Sequence, residues 1–128
     1  MLNLWHRHQE QLRNNLCPNA LLLDCHSFPS EMSDIDICIG YNEDWSKPNK
    51  ETIELAVNLF EDYGYKVGIN EPYSNSETPN CPFTYQSMML EVNKKAYMEP
   101  RTLRLKRPDS NKYSVRELMV KLLSELGK

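Results

Sequence analysis

Two side chains in this sequence, His26 and Glu91, have the type and setting for hydrolytic chemistry. An apolar run, Ala20-Leu21-Leu22-Leu23, breaks off abruptly into Asp24-Cys25-His26-Ser27. The run is too short for an ordinary helix and lacks helical spacing, so it reads as a buried strand with His26 at its carboxyl end. In open α/β sheets that edge is where ligand crevices form. Glu91 falls near the end of a second strand pattern, residues 86–92, where Met88, Leu90 and Val92 alternate with Ser87, Met89 and Glu91. An imidazole that holds a metal and a carboxylate that takes a proton from a metal-bound water could together attack a carbonyl. The plain alternative is a hydrogen-bonded histidine and a solvated strand glutamate. The residues taken singly leave both readings open.

These side chains need a scaffold, and the rest of the chain reads as one. Residues 2–16 have the pattern of an amphipathic helix, with Leu4, Trp5, His8, Leu12 and Leu16 on or near one face, closed by Pro18-Asn19. A polar loop at 27–33 contains Pro29, and residues 35–39 alternate as a second strand. After a loop at 42–48, Pro48 lies near the start of a helix over about 49–63, with Ile53, Ala56, Val57 and Phe60 at helical spacing and Gly64 as the stop. A third strand at 65–69 completes the strand, helix, strand order of a parallel crossover. Residues 70–84, with Pro72, Pro79 and Pro82 and no periodicity, form a long loop of the functional or mobile kind. Residues 112–126 form a last helix that spaces Val115, Leu118, Met119, Leu122 and Leu126 to pack on the sheet, and 97–109 carry no clear pattern. The expected architecture is a single α/β domain over residues 1–128, a mainly parallel sheet flanked by helices.

Composition excludes several classes. The 128 residues suit one domain, and no apolar run is long enough to cross a bilayer. The first residues lack the apolar core and cleavage site of a secretory signal, so a cytoplasmic protein is expected. Cys17, Cys25, Cys38 and Cys81 are scattered without a Cys-x-x-Cys pair, and three sit in or beside apolar runs, which disfavours disulfides and a zinc knuckle. The net charge of -3 argues against broad nucleic-acid binding. Arg101, Arg104, Lys106 and Arg107 form a local basic cluster, a solvated loop or a site for a small anion.

The order of motifs carries more than any of them alone. Leu21 to Ser30 with its Asp-x-His-Ser core, then Asp36-Ile37-Cys38-Ile39-Gly40, then Gly64-Tyr65-Lys66-Val67 with Asn70-Glu71-Pro72-Tyr73, then Leu90-Glu91-Val92-Asn93 with Tyr97-Met98, resemble the N-formylglutamate amidohydrolase family in sequence order. The resemblance runs from about Leu4 to Met98. It implies a partial zinc-carboxypeptidase-like, or phosphorylase/hydrolase-like, fold corresponding to the C-terminal part of the family's. It also implies zinc, and cleavage of the amide of an N-acyl (formyl) amino acid by attack of a metal-bound water. Carried over by position, His26 would be a metal ligand and Glu91 the general base. Asp24 and Ser27 would support the metal ligand, and Asn70 and Tyr73 would line the substrate pocket. Asp24 could equally cap the following turn, Asn70 and Pro72 could simply shape one, and Tyr73 could pack the loop.

The departures from the family are equally specific. The segment that precedes the Asp-x-His-Ser strand in family members carries a His-x-x-Glu-type ligand pair with no counterpart here. His6 and Glu10 share a helix face at i, i+4, but their spacing and position do not match that pair. Asn75-Ser76 stands where many relatives carry paired glycines. The ligand set is therefore incomplete, which opens the other reading: a non-catalytic homologue or subunit that keeps a pocket for an acidic amino acid. The first strand is expected to have an exposed edge or face, to be covered by self-association or a partner chain.

Overall fold

The computed structural model describes residues 2–98 and 114–127. Its centre is a four-stranded sheet of β1 (Leu21–Phe28), β2 (Ile37–Gly40), β3 (Val67–Ile69) and β4 (Gln86–Asn93), in the order β1-β4-β2-β3. β1 runs parallel to β4 and β2 parallel to β3, while β2 and β4 are antiparallel. The sheet is mostly parallel, as the pattern predicts.

Three helices accompany it: α1 (Leu2–Asn15), α2 (Lys50–Asp62) and α3 (Val115–Leu126). α2 links β2 to β3 in the expected crossover. Its end is a Schellman motif, in which Gly64 at φ 87° lets the Tyr65 N–H reach the Phe60 carbonyl at 3.0 Å and the Gly64 N–H the Glu61 carbonyl at 3.0 Å. The rings of Phe60 and Tyr65 meet edge to face at 6.3 Å and close the motif with an apolar contact. α3 begins at Ser114, whose Oγ accepts the Glu117 N–H at 3.2 Å.

The core lies between α2, α3 and one face of the sheet. Ile37, Ile39, Met88, Leu90 and Val92 project from the strands against Ala56, Leu59 and Phe60 of α2 and Val115, Leu118 and Leu122 of α3. Met119 and Leu126 of the expected stripe pack at its margin.

Three readings need correction. First, the strand does not end at His26, since β1 continues through Asp24-Cys25-His26-Ser27 to Phe28. β4 continues alongside to Asn93, and a backbone partner rather than side-chain apolarity sets the length of a strand. Ser27 and Phe28 thus leave the expected loop, whose remainder includes a 3-10 turn over Ser30–Met32. Second, β1 is not a buried strand: it is half-buried at Leu21 to Asp24 and exposed at Cys25 to Ser27, and among the described residues it lies at the sheet edge, as expected. Third, the inward stripe of α1 keeps Leu12 and Leu16 but takes Gln9 in place of His8. Gln9 is buried, with Leu12 and Leu16 half-buried, whereas His8 is exposed. Glu10 is exposed, and the side chain of His6 and the Arg101–Arg107 cluster lie outside the described residues.

Candidate functional site

Strand alternation builds the site. Residues paired across a sheet share a face, and each strand turns its next residue to the other side. On the side away from α2 and α3, three rows cross the sheet: Asp24, Met89 and Gly40; His26, Glu91 and Cys38; Phe28 and Asn93. His26 and Glu91, 65 positions apart, are direct register partners. Ser27 is the register partner of Val92 and faces the helices, so the structure does not bring it to His26 or Glu91.

Asp24 and His26 are i and i+2 on one face of β1, and the Asp24 Oδ1 to His26 Nε2 distance is 2.8 Å. The Asp24 carboxylate accepts, so a neutral His26 with its proton on Nε2 keeps Nδ1 as the free acceptor. Glu91 is 9% exposed, and its Oε2 is buried without a hydrogen-bond partner among the described residues. Burial pushes the Glu91 carboxyl above its ordinary value, the Asp24 charge adds to the rise, and His26 opposes it. An unpartnered buried carboxylate is costly to fold and is the kind of group that active sites retain.

Other polar residues on this side of β4 have structural partners. Asn93, fully buried, donates from Nδ2 to the carbonyls of Ser33 at 3.0 Å and Ile35 at 2.8 Å, and its Oδ1 accepts the Lys95 N–H at 3.0 Å. Ser87, also fully buried, meets Ser76 Oγ at 2.7 Å and donates to the Glu77 carbonyl. These bonds hold the loops on either side of Glu91.

The long loop is pinned rather than loose. Asn70, at φ 54°, donates its N–H to the Ile39 carbonyl at 2.8 Å, and its Oδ1 accepts the Tyr41 N–H at 2.9 Å. Asn42 binds Ser76 twice, at 3.0 and 3.2 Å. Tyr73 packs edge to face on Phe28 at 5.5 Å, and its carbonyl accepts from Cys38 Sγ at 3.2 Å. Asn70 thus shapes the turn, and Tyr73 lies over the row that contains Glu91. Two glycines permit this close approach. A Cβ on Gly40 would lie 3.0 Å from the Asn75 carbonyl oxygen, and one on Gly68 would lie 2.6 Å from that of Glu71. Asn75 itself sits at φ 72°, the left-handed conformation that glycine favours and asparagine tolerates. It therefore meets a left-handed backbone requirement without glycine.

Beside the His26 row lies an open cleft of about 640 Å3, with Asp24 and Met89 from the sheet, residues 74–80 from the loop, and Gln9 and Arg13 from α1. Sequence reasoning missed Gln9, Arg13, Ser87 and Asn93. A signal was present for three of them: Ser87 and Asn93 share the alternation of Glu91, and Gln9 is a polar residue in phase with Leu12 and Leu16.

Catalytic zinc takes about three protein ligands. Among the described residues, no group of three or more His, Cys, Asp or Glu side chains could hold a metal ion. With Glu91 kept as the base, His26 offers one. The described residues do not fit a zinc without further donors.

The crystal structure of N-formylglutamate amidohydrolase from Ralstonia eutropha JMP134 superposes with a TM-score of 0.62 at 21% identity, over 85% of this chain and 44% of that one. The chain thus spans less than half the length of that relative. Comparison with the curated proteins finds no match. The family model for N-formylglutamate amidohydrolase matches residues 3–98, a stretch that contains both His26 and Glu91. Since that match takes in most of the chain, the protein belongs to the N-formylglutamate amidohydrolase family.

Proposed function

We propose that the chain is the base-bearing part of an amidohydrolase that cleaves the amide of an N-acyl, in particular N-formyl, amino acid. The observation that carries this reading is Glu91: buried, raised in pKa, and with an unpartnered oxygen in the row of His26. A carboxyl poised nearer neutrality suits a general base that must both accept and release a proton. Glu91 takes a proton from water as the water oxygen bonds to the acyl carbon. The C–N bond then breaks, and the proton passes to the departing nitrogen, leaving formate and the free amino acid. Asp24 orients His26, and Tyr73 covers the row. A zinc held by His26 would need donors from outside the described residues to complete its shell.

The lack of a three-ligand group among the described residues favours a second reading, a non-catalytic homologue that keeps the pocket. Formate release from N-formyl-L-glutamate by the chain, together with its metal content, separates the two. Turnover that Glu91→Gln abolishes supports the first. A folded chain without bound metal and without turnover leaves the second.

The β1 edge further supports self-association or a partner chain, and a strictly monomeric species in sedimentation would overturn self-association. No helix among the described residues is long and apolar enough to cross a membrane, and we propose a cytoplasmic location, to be checked by fractionation.

A further inference from the structure

We infer that two copies of the chain pair through the open edges of β1, antiparallel and centred on Cys25, so that Asp24 of each copy stands opposite His26 of the other. This rests on the self-association reading of that edge and not on the amidohydrolase reading. β1 has 8 residues, longer than the usual strand of about 5–6, and carries no proline or lysine to blunt it. It is exposed from Cys25 to Ser27, and among the described residues no strand covers its outer side. The Gln86 N–H donates to the Ala20 carbonyl at 2.8 Å, and the register runs unbroken from Leu21 with Gln86 to Phe28 with Asn93. Backbone groups alternate in direction along a strand, so Leu22, Asp24 and His26 turn theirs to β4. Leu23, Cys25 and Ser27 therefore present their N–H and C=O groups at the open edge.

Symmetry and charge fix the register. A two-fold antiparallel pair can be centred on Leu23, Asp24, Cys25 or His26. Centring on Asp24 opposes Asp24 to its own copy, a like-charge pair, and centring on His26 opposes Asp24 to the buried ring of Phe28. Centring on Leu23 opposes Asp24 to Leu22. Only the Cys25 centre gives Asp24 an imidazole across the edge, on the face that carries Glu91. The Asp24 and His26 pair of one copy, 2.8 Å apart and with the His26 side chain 50% exposed, then meets the same pair of the other in reversed order. Acid and imidazole alternate around the four side chains. On the helix face Leu23 meets Ser27, and Cys25 meets Cys25 in a hydrogen-bonded pair with Cα atoms about 5.5 Å apart, a separation that a disulfide can span. The outward-facing residues of the two copies supply about six main-chain hydrogen bonds. The second copy thus adds a carboxylate beside His26, and the candidate site extends across two chains.

The test is sedimentation equilibrium of the full chain across the micromolar range, with circular dichroism to check that each variant is folded. A dimer is expected. Ser27→Pro removes an N–H that β4 does not use and should weaken the dimer about 10- to 100-fold, the scale of the two hydrogen bonds lost. Asp24→Lys and His26→Glu should each weaken self-association, and mixing the two variants should restore a dimer, because the two substituted side chains then face each other with opposite charge. Diamide, which takes up the two thiol hydrogens, should link the copies through Cys25 in a Cys17→Ser, Cys81→Ser background, and not when Cys25→Ser is added. If Ser27→Pro does not fold, this link decides. A monomer at all concentrations overturns the inference together with self-association. A dimer indifferent to Ser27→Pro, a mixture that restores nothing, or a dimer without a Cys25 link overturns the β1 register and leaves self-association standing. Formate release is measured separately, and its absence from a dimer linked at Cys25 would count against the hydrolase reading alone.

Discussion

Along β4, Met88, Leu90 and Val92 turn to one side of the sheet and Ser87, Met89, Glu91 and Asn93 to the other, and the two sides are held by different physics. The helix side is an apolar core in which burial and close contact supply the stability. The other side carries a small apolar patch of Phe28, Cys38 and Met89 under Tyr73, set among buried polar groups that must each find a partner. Among the described residues one atom there finds none, Glu91 Oε2. The contrast favours the proposed role of Glu91: Asn93 is satisfied three times, while Glu91, one same-face step away, keeps an oxygen without a partner among the described residues.

Mutations should separate the two sides by size and by sign. Phe60→Ala, on the helix side, should cost the most, about 3–5 kcal/mol in urea unfolding, because the ring is fully buried between α2 and the sheet. A loss much below that range would mean that the helices are not the main core. Asn93→Ala should cost about 1–3 kcal/mol by stranding the Ser33 and Ile35 carbonyls, and amide exchange in residues 33–36 should accelerate. Unchanged exchange would show that the loop is held by something else. Gly40→Ala comes next, at about 1–2 kcal/mol, since its Cβ would stand 2.5 Å from Met89 Cε and 3.0 Å from the Asn75 carbonyl oxygen. Adding Met89→Ala should relieve only the first clash, and full rescue would show that the loop backbone yields freely.

The smallest effect should have the opposite sign. Glu91 has a raised folded-state pKa, so the folded protein binds this proton more tightly than the unfolded chain. The stability from that protonation is present at low pH and is lost as pH rises through the folded-state value. Glu91→Gln should therefore raise the melting temperature slightly at pH 7, and the gain should vanish as pH falls below the ordinary glutamate value of 4.5. A destabilised variant at pH 7 would mean that the carboxylate has a partner and is not held open for catalysis.

Much of the scaffold is legible in residue order because helical and strand periods are local. Ile53, Ala56 and Phe60 announce α2 and Gly64 its end, while Leu118 and Leu122 announce α3. What fails is information set by neighbours. His8 and Gln9 differ by one position, about 100° around a helix, and packing against the cleft decides which of them turns inward. β1 outruns its apolar stretch because β4 lies beside it, and the same extension sends Ser27 to the helix side, away from His26. The loop over 70–84 looks unstructured in sequence because its order comes from partners far along the chain, Asn42 and Ser87 among them.

The ordered motifs name the family without any coordinates, and they single out His26 and Glu91 as a pair. Residue types and short spacings suffice for that, since they encode which strand a side chain sits on and which other motifs accompany it. Whether the two residues meet depends on strand register, and a slip of one position would turn Glu91 into the apolar core. That register is settled by packing of the whole sheet between α2, α3 and the pinned loop. The same packing buries the Glu91 carboxylate, lifts its pKa, and leaves the cleft beside it open.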